Sequence, residues 1–407
     1  MGVRGRPSLE DVAVWDELMG QDDAIAVVRA AAESVTAPGA VEQAAPGMTH
    51  SWLITGPPGS GRSNLAFAFA TALLSPGTPE ADRTARRQVE ARTHPDLTVL
   101  STERVIISID EVRSLVSGSQ FAPSVARFRV MIIEDADRMT ERTSNVLLKA
   151  LEEPPERTVW ILCAPSEADL LPTIRSRVRT VRLKAPGVAD VAELIRRRDG
   201  VDAETAERAA RHAQSHIGMA HRLATNAEAR QRRERTLQLA LGVRSVSGAV
   251  LAAAEMLEIA GADAKAITEE RDAQEREHAL RSLGLEPGAA ISPALRVQLR
   301  QLEEDQKRRA KRSLRDGIDR ILTDLLSLYR DVMMVQLDGG IGLVNTELGG
   351  ELGTLSARTT PAATLAAMDA VATARQRIDA NVAPALALEA MLTAILRGQA
   401  VRKGTDQ

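Results

Sequence analysis

The chain has 407 residues and a formal net charge of −3, with 44% hydrophobic and 26% charged residues. This length suffices for two or three domains with a sizeable core. A single cysteine, Cys163, excludes a disulfide framework within the chain and a multi-cysteine zinc site. No apolar run is long enough to cross a bilayer, the N-terminus lacks a signal-peptide core, and the net charge excludes a global footprint for nucleic acid. We therefore expect a cytoplasmic protein that contacts no membrane.

Short apolar runs recur along the first part of the chain. They are residues 52–54, 97–100, 130–133, 159–162 and 181–183. Most are continuous rather than alternating, which is typical of strands buried on both faces of a parallel sheet. Helical segments lie between them, one of them from Asn64 to Leu74. This alternation predicts an α/β fold, a doubly wound parallel sheet domain over residues 1–184.

A second helical segment within this domain has recognisable ends. Thr140 is a plausible N-cap, and Glu141 follows it in the first turn. Leu147 and Leu151 then fall on one face of the helix. The pair Pro154-Pro155 ends the helix, because proline cannot continue the backbone hydrogen bonds.

The strand signal stops after residue 184. Residues 185–235 are predicted to form a small helical domain, and residues 236–407 a second all-helical domain. Within the latter, the stretch around 268–316 is highly charged. Two interpretations stay open for it: solvated faces of long helices, as an insertion, or a patch that touches DNA. The Pro- and Ala-rich segment 36–46 is predicted to be a surface loop.

The strongest local motif directly follows the first strand and opens a helix. It consists of Gly56, Pro57, Pro58, Gly59, Ser60, Gly61, Arg62 and Ser63. This pattern is typical of a phosphate-binding loop, in which glycines let N–H groups face an anion and a helix N-terminus adds favourable charge. Ser63 is placed to hold Mg²⁺. A plain Gly-Pro-rich turn that joins strand to helix is the alternative.

Arg62 departs from the phosphate-loop pattern, which requires lysine. A guanidinium is wider and planar, and it directs its donors differently from a compact ammonium. We therefore expect the loop geometry to persist and catalysis to be lost. Whether ATP or ADP, with Mg²⁺, still binds the loop stays open, so no cofactor is required by this interpretation.

A pair of acids, Glu134 and Asp135, follows the apolar run 130–133. Acids at the carboxyl end of such a strand occupy the place of a Walker B motif, beside the phosphate loop. Active AAA+ ATPases place Asp before Glu, and the order here is reversed. Glu134 and Asp135 therefore form either a degenerate metal site or a merely solubilising strand end.

Five motifs occur in a fixed order along the chain. They are GPPGSGRS at 56–63, HPDL at 94–97, IIEDAD at 132–137, NVLLKALEEPP at 145–155 and LPTIRSRV at 171–178. This ordered set resembles the AAA+ clamp-loader subunits of bacterial DNA polymerase III. Segments 374–382 and 386–389 look like the collar helices of that family. The resemblance spans nearly the whole chain apart from the charged insertion, and implies a lid at 185–235 and an oligomerisation collar at 236–407.

In the clamp-loader family, a Ser-Arg-Cys motif supplies an arginine finger in trans to ATP held by the adjacent subunit. The matching residues here are Ser176, Arg177 and Val178. Loss of the cysteine should matter little, because the charge belongs to Arg177. An always-ionised, bidentate donor suits the charge of a phosphoryl-transfer transition state. The alternative for Arg177 is a surface salt bridge of little energetic value.

Several positions depart from the active members of the family. They are Arg62, the reversed acids Glu134-Asp135, Ala164-Pro165 at the first sensor and His221 at the second sensor, where the adjacent Arg222 could substitute for the family's arginine. Neither Ala164 nor Pro165 has a side chain that can hydrogen-bond to a phosphate. The resemblance therefore implies the delta-prime type: a stator that lends Arg177 to its neighbour and is not an ATPase on its own.

The resemblance also implies the partners of such a subunit. They are the gamma/tau ATPase and delta subunits of the DNA polymerase III holoenzyme, the sliding clamp, and primed DNA through the assembled complex. No metal site is expected, since residues 75–93 lack the cysteines of the family's zinc module and His94 fits a His-Pro-Asp turn. Two alternatives remain: a weakly active gamma/tau-type ATPase, and a nucleotide-regulated adaptor outside replication.

Overall fold

The chain divides into two compact units, Met1–Ala224 and Thr225–Gln407. The computed structural model describes residues 15, 18–36, 48–101, 106–282, 293–340 and 342–400. The predicted surface loop therefore lies outside the described residues from position 37 onward. The three-part division at 184 and 235 is finer than these two units and stays a prediction. Each helix within the described ranges is too short or too polar to cross a bilayer.

The described part of the first unit contains a five-stranded parallel sheet. Its strands are β1 (Ser51–Thr55), β2 (Leu97–Leu100), β3 (Arg129–Ile133), β4 (Thr158–Ala164) and β5 (Arg179–Arg182). They are ordered β2-β3-β4-β1-β5, so that Ile54 of β1 lies between Cys163 of β4 and Val181 of β5. Because all strands are parallel, their carboxyl ends meet at one edge. The segments after β1, β3 and β4 therefore start from that edge.

Nine helices of the described residues belong wholly or mainly to the first unit. They are α1 (Asp22–Thr36), α2 (Arg62–Leu74), α3 (Pro79–Glu90), α4 (Ile109–Ser119), α5 (Glu141–Glu152), α6 (Pro172–Arg175), α7 (Val188–Asp199), α8 (Ala203–His212) and α9 (Ile217–Thr225). The helix predicted from Asn64 begins two residues earlier, at Arg62. Gly200 ends α7 with a φ of 67°, a left-handed conformation that favours glycine.

Both faces of the sheet are covered by helices, which explains the continuous apolar strands. Trp52 and Ile54 face one core, where the Trp52 ring meets Phe69 of α2 edge-on at 5.2 Å. Leu53, between them, faces a second core with Leu147 of α5. Alternate strand residues thus enter different cores, and each needs an apolar side chain. The predicted doubly wound parallel sheet is confirmed.

Helix α5 forms where the sequence predicts it. Thr140 caps its N-terminus, with its Oγ1 accepting a hydrogen bond from the Thr143 N–H at 3.3 Å. Leu147 and Leu151 are buried on its inner face. The helix ends at Glu152, two residues before Pro154, and this places the Glu152 side chain at the carboxyl end of α5.

The His-Pro-Asp turn before β2 is a buried structural element. His94 Nδ1 accepts a hydrogen bond from the Asp96 N–H at 3.1 Å. The Asp96 carboxylate accepts from the N–H groups of Ser124, Val125 and Ala126 at 2.6–2.8 Å. Burial raises the pKa of Asp96, but these hydrogen bonds outweigh it and hold the pKa below its usual value. The turn therefore anchors the loop that precedes β3.

The described part of the second unit is helical, as predicted. Its helices are α10 (Ala227–Gly242), α11 (Val246–Ser282), α12 (Pro293–Gln336), α13 (Gly349–Arg358), α14 (Pro361–Asp379) and α15 (Pro384–Ala400). Leu325, Val371 and Leu388 from three of them share one apolar core. Within that unit, Arg233 donates to Asp324 at 2.9 Å and to Asn345 at 2.6 Å. The described backbone of the charged stretch 268–316 lies in α11 and α12, and the side chains of 270–305 lie outside the described set.

Candidate functional site

The phosphate-loop motif forms a tight connection between β1 and α2. Gly59 and Gly61 have φ values of 78° and 92°, in the left-handed region where a side chain is strained. A Cβ placed on Gly59 would lie 2.2 Å from Cγ of His216. Glycine is therefore required at position 59 both by backbone conformation and by space.

The segment that leads into α9 lies directly against this loop. The Ile217 N–H donates to the Gly59 carbonyl at 3.3 Å. The His216 ring is held by the Met219 N–H, which donates to Nδ1 at 3.2 Å. Sequence analysis missed this contact, because more than 150 residues separate the partners and neither His216 nor Ile217 belongs to a phosphate-binding motif.

Two buried polar groups in the loop lack a partner within the described residues. Ser60 is only 1% exposed and its Oγ has no hydrogen-bond partner, and the same holds for the Nη1 atom of Arg62. An unpaired buried donor is unfavourable. The loop leads into the N-terminus of the 13-residue helix α2, whose partial positive charge favours an anion such as a phosphate. The loop thus fits a phosphate, and Ser63 in the first turn of α2 is the residue that would meet an accompanying Mg²⁺.

At Ala164-Pro165, the first sensor position, a backbone carbonyl forms the hydrogen bond to the phosphate loop. The Pro165 carbonyl accepts a hydrogen bond from the Gly56 N–H at 3.2 Å. Ala164 is buried at the end of β4. As the sequence indicates, neither side chain can donate to a phosphate or to a water molecule.

Glu134, the first of the Walker B acids, is engaged in an ion pair. Arg92 Nη1 lies 3.0 Å from Glu134 Oε2, and Arg92 Nη2 lies 3.2 Å from Oε1. The Glu134 side chain is only 11% exposed. The Arg92 guanidinium also lies over the Phe67 ring, 5.1 Å from its centroid. Arg92 was not singled out in the sequence, and it neutralises the carboxylate nearest to β3.

Of the other acids at this edge, Asp135 has an ion-pair partner and Asp137 is partly buried. Asp135 Oδ2 lies 3.6 Å from Arg138 Nε. Burial raises the pKa of Asp137, and the charge of Asp135 raises it further against the lowering effect of Arg138 and Arg62. Across the described ranges, no three His, Cys, Asp or Glu side chains are grouped so that they could hold a metal ion.

Cys163 lies near enough to Arg62, Glu134 and Asp135 for their charges to act on its thiol. Its Sγ is 3.9 Å from the Arg62 carbonyl, and the residue is fully buried. Burial raises the pKa of the thiol to about 12, with Arg62 acting to lower it and Glu134 and Asp135 to raise it. The structure therefore brings Arg62, Glu134 and Asp135 to one edge of the sheet, as the motif spacing predicts.

The residue matched to the arginine finger lies at a separate corner, between α6 and β5. Arg177 Nε donates to Glu152 Oε1 at 2.6 Å. Its Nη1 donates to the Thr173 carbonyl at 2.7 Å and to Ser176 Oγ at 3.0 Å. The Arg177 side chain is 33% exposed and that of Glu152 is 44% exposed. Arg177 thus carries its charge at the surface, against partners from its own chain.

The second sensor position is engaged within the helices after β5. His221 Nδ1 lies 2.8 Å from Asp199 Oδ2, at the end of α7. Burial raises the pKa of Asp199, but hydrogen bonds from Arg198 and His221 outweigh it, and the pKa lies below its usual value. His221 therefore serves the packing of α7 against α9.

Comparison with known proteins finds similar sequences for part of the first unit. The family model described as "DNA polymerase III, delta subunit" matches residues 41–187. The delta' subunit of DNA polymerase III from Pseudomonas aeruginosa is 35% identical over 154 residues, 36% of this chain and 47% of that protein. Residues 41–187 thus match the model of this family, and the chain is similar to a delta' subunit of DNA polymerase III over about a third of its length.

Clamp-loader subunits of two types are similar to this chain. The gamma/tau subunit of Mycobacterium tuberculosis is 32% identical over 150 residues, 36% of this chain and 26% of that protein. The delta' subunit of Escherichia coli is 31% identical over 144 residues, 34% and 43% of the two chains. The chain thus spans less than half the length of these relatives.

A solved structure covers more of the chain at lower similarity. It is a DNA polymerase III gamma subunit-related protein from Thermotoga maritima, 17% identical, with a TM-score of 0.40, and the match covers 86% of this chain and 94% of that one. A Thermotoga maritima RuvB variant matches with a TM-score of 0.39 at 18% identity, over 57% of this chain and 66% of that one.

Proposed function

We propose that this protein is a non-hydrolysing, delta-prime-type subunit of the replicative clamp loader. It presents Arg177 in trans to ATP bound by an adjacent ATPase subunit and helps to load the sliding clamp onto primed DNA. The observation that carries the proposal is the position of Arg177, an always-charged donor exposed at a corner apart from the chain's own phosphate loop.

The state of the chain's own site supports a loss of hydrolysis. Glu134 is neutralised by Arg92, so its carboxylate is not available to polarise water. Arg62 stands where the lysine of an active loop would be, and Pro165 offers only a carbonyl at the first sensor. Catalysis of phosphoryl transfer depends on positioned charges and a positioned water, and we infer that this site no longer supplies them.

The partners follow from this role. They are gamma/tau-type ATPase and delta subunits, with the sliding clamp and primed DNA reached through the assembled complex. The phosphate loop retains the unpaired Ser60 hydroxyl and the Arg62 Nη1 atom. Residual binding of ATP or ADP is therefore compatible with the proposal, because it is hydrolysis that the site has lost.

The deciding experiment measures steady-state ATP hydrolysis by a loader reconstituted with this chain and its ATPase partner. We expect Arg177→Ala to reduce hydrolysis by roughly 10³-fold or more, as for other arginine fingers. Arg175→Ala, two residues away and also exposed, is the matched control and should leave the rate unchanged. The isolated chain should show negligible turnover.

The opposite result would favour the second candidate, a weakly active gamma/tau-type ATPase. We retain this candidate because the chain is 32% identical to a gamma/tau subunit over 150 residues. It predicts turnover by the isolated chain that disappears in Ser63→Ala, together with no effect of Arg177→Ala on a partner's hydrolysis. An adaptor outside replication predicts no association with clamp-loader subunits or sliding clamp.

A further inference from the structure

The guanidinium of Arg177 is almost completely committed to its own chain. An arginine side chain has five N–H groups. Nε–H donates to Glu152, the two Nη1 hydrogens reach the Thr173 carbonyl and Ser176 Oγ, and Nη2 also contacts the Glu152 carboxylate. Four of the five donors are therefore engaged, and Glu152 takes the edge formed by Nε and Nη2.

That edge is the one on which carboxylates and phosphates compete. Arginine binds both anions through pairs of parallel N–H donors. While Glu152 holds Nε and Nη2, a phosphate cannot take the same pair, and the combined charge of the two side chains is zero. A finger that stabilises a phosphoryl-transfer transition state acts through its net positive charge. The contact with Glu152 therefore opposes that action for as long as it persists.

Exchange of Glu152 for a phosphate costs little. The two side chains are 44% and 33% exposed, so solvent screens their attraction. Exposed ion pairs shift an equilibrium by roughly 1.5- to 5-fold. Glu152 is the last residue of α5, and for the adjacent Glu153 the described residues show no side-chain hydrogen bond or ion pair.

We propose that Glu152 is a positioning residue that holds Arg177 against its own subunit and releases it to the phosphate of a neighbouring subunit's nucleotide. The inference rests on the proposed trans role of Arg177. Glu152 acts through Arg177 and touches no reacting atom. Its removal frees the Nε–Nη2 edge in advance, so the neighbour's ATP no longer has to displace a carboxylate.

The experiment is a steady-state analysis of the reconstituted loader with Glu152→Gln, Glu153→Gln, Arg177→Ala and the double variant Glu152→Gln/Arg177→Ala. We expect Glu152→Gln to lower KM for ATP by about 1.5- to 5-fold with kcat unchanged. Glu153→Gln removes the same charge one residue away and should leave both constants unchanged. In the Arg177→Ala background, Glu152→Gln should have no effect on KM.

Three outcomes would overturn the inference while leaving the proposed function intact. The first is an unchanged KM in Glu152→Gln. The second is a fall in kcat in that variant, which would mean that Glu152 orients the finger toward the phosphate. The third is a KM that Glu152→Gln still lowers in the Arg177→Ala background. If Arg177→Ala itself leaves hydrolysis unchanged, the trans role fails and the inference with it. A melting temperature equal to that of the wild type would show that Glu152→Gln is folded.

Discussion

Two arginine–glutamate pairs lie at two candidate functional corners of the first unit, and they differ chiefly in the burial of the glutamate. Glu134, at the phosphate-loop edge, is 11% exposed, and the Arg92 that neutralises it lies over the Phe67 ring. Glu152, beside Arg177, is 44% exposed, whereas both arginine side chains are partly exposed, 46% for Arg92 and 33% for Arg177. The glutamate is therefore largely enclosed at one corner and open to solvent at the other.

This difference decides what each pair can do. A carboxylate shielded from water is costly to leave without the donors of its arginine, so we expect Arg92 and Glu134 to form a structural contact. A solvent-screened pair is worth little and can exchange partners. We infer that the phosphate-loop edge is locked by its own charges, whereas the finger corner is open to a ligand from outside.

The largest expected effect concerns Cys163, which is buried at the phosphate-loop edge and reports whether that edge opens to solvent. Its thiol has a pKa raised from 9.0 to about 12, which reduces the thiolate fraction at pH 8 by about 10³-fold. We expect alkylation in the folded protein to be slower than in denaturant by at least that factor. The measurement is the rate of labelling by a thiol reagent with and without urea. Fast labelling of the folded chain would mean that the edge opens readily.

The next effect tests the contact between the loop and the segment before α9. Gly59→Ala should destabilise the protein by about 3 kcal/mol, because a left-handed φ costs roughly 1–2 kcal/mol and overlap with the His216 ring adds to it. Gly118→Ala, in α4 with open space around its Cα, is the control and should be neutral or slightly stabilising. Urea unfolding measures both.

The double variant Gly59→Ala/His216→Ala separates the two causes of that loss. Removing the ring should recover the steric part and leave the backbone strain of roughly 1–2 kcal/mol. A double variant as unstable as the sum of the two single ones would show that His216 does not limit the space at position 59.

A third prediction concerns the loss of the pair between Arg92 and the nearly buried Glu134. Arg92→Ala should cost about 2 kcal/mol, because it leaves the nearly buried Glu134 carboxylate without its two donors. Arg92→Lys keeps the charge but loses the bidentate geometry, so it should recover only part of the loss. The free energy of unfolding in urea measures both. A loss below about 0.5 kcal/mol would make this pair as exchangeable as the exposed one.

The smallest effect is expected at the open corner. Glu152→Gln should change the free energy of unfolding by less than about 1 kcal/mol, since the pair it breaks is exposed. High salt should reduce even this difference. Urea unfolding at low and high salt provides the measurement. A larger, salt-independent loss would place this pair with Arg92 and Glu134, as a structural contact.

Much of the site could be predicted from local signals. The strand that ends at Thr55, the glycines at 59 and 61 and the acids after β3 follow from motif spacing and from the meeting of parallel strand ends. The contacts that modify the site could not, because Arg92 and His216 reach it from distant positions. No periodicity in the sequence indicates that Arg92 turns toward Glu134.

The sequence by itself determined the parallel sheet, the helical second half, the Thr140 cap and the place of Arg177 in a short connection before β5. These features depend on residue spacing, caps and turns, which act over a few neighbours. Only the tertiary structure decided which glutamate each arginine meets and how much water reaches the pair. Burial is set by residues far apart in the chain, and it is the burial of the glutamate that leads us to expect one pair to be structural and the other exchangeable.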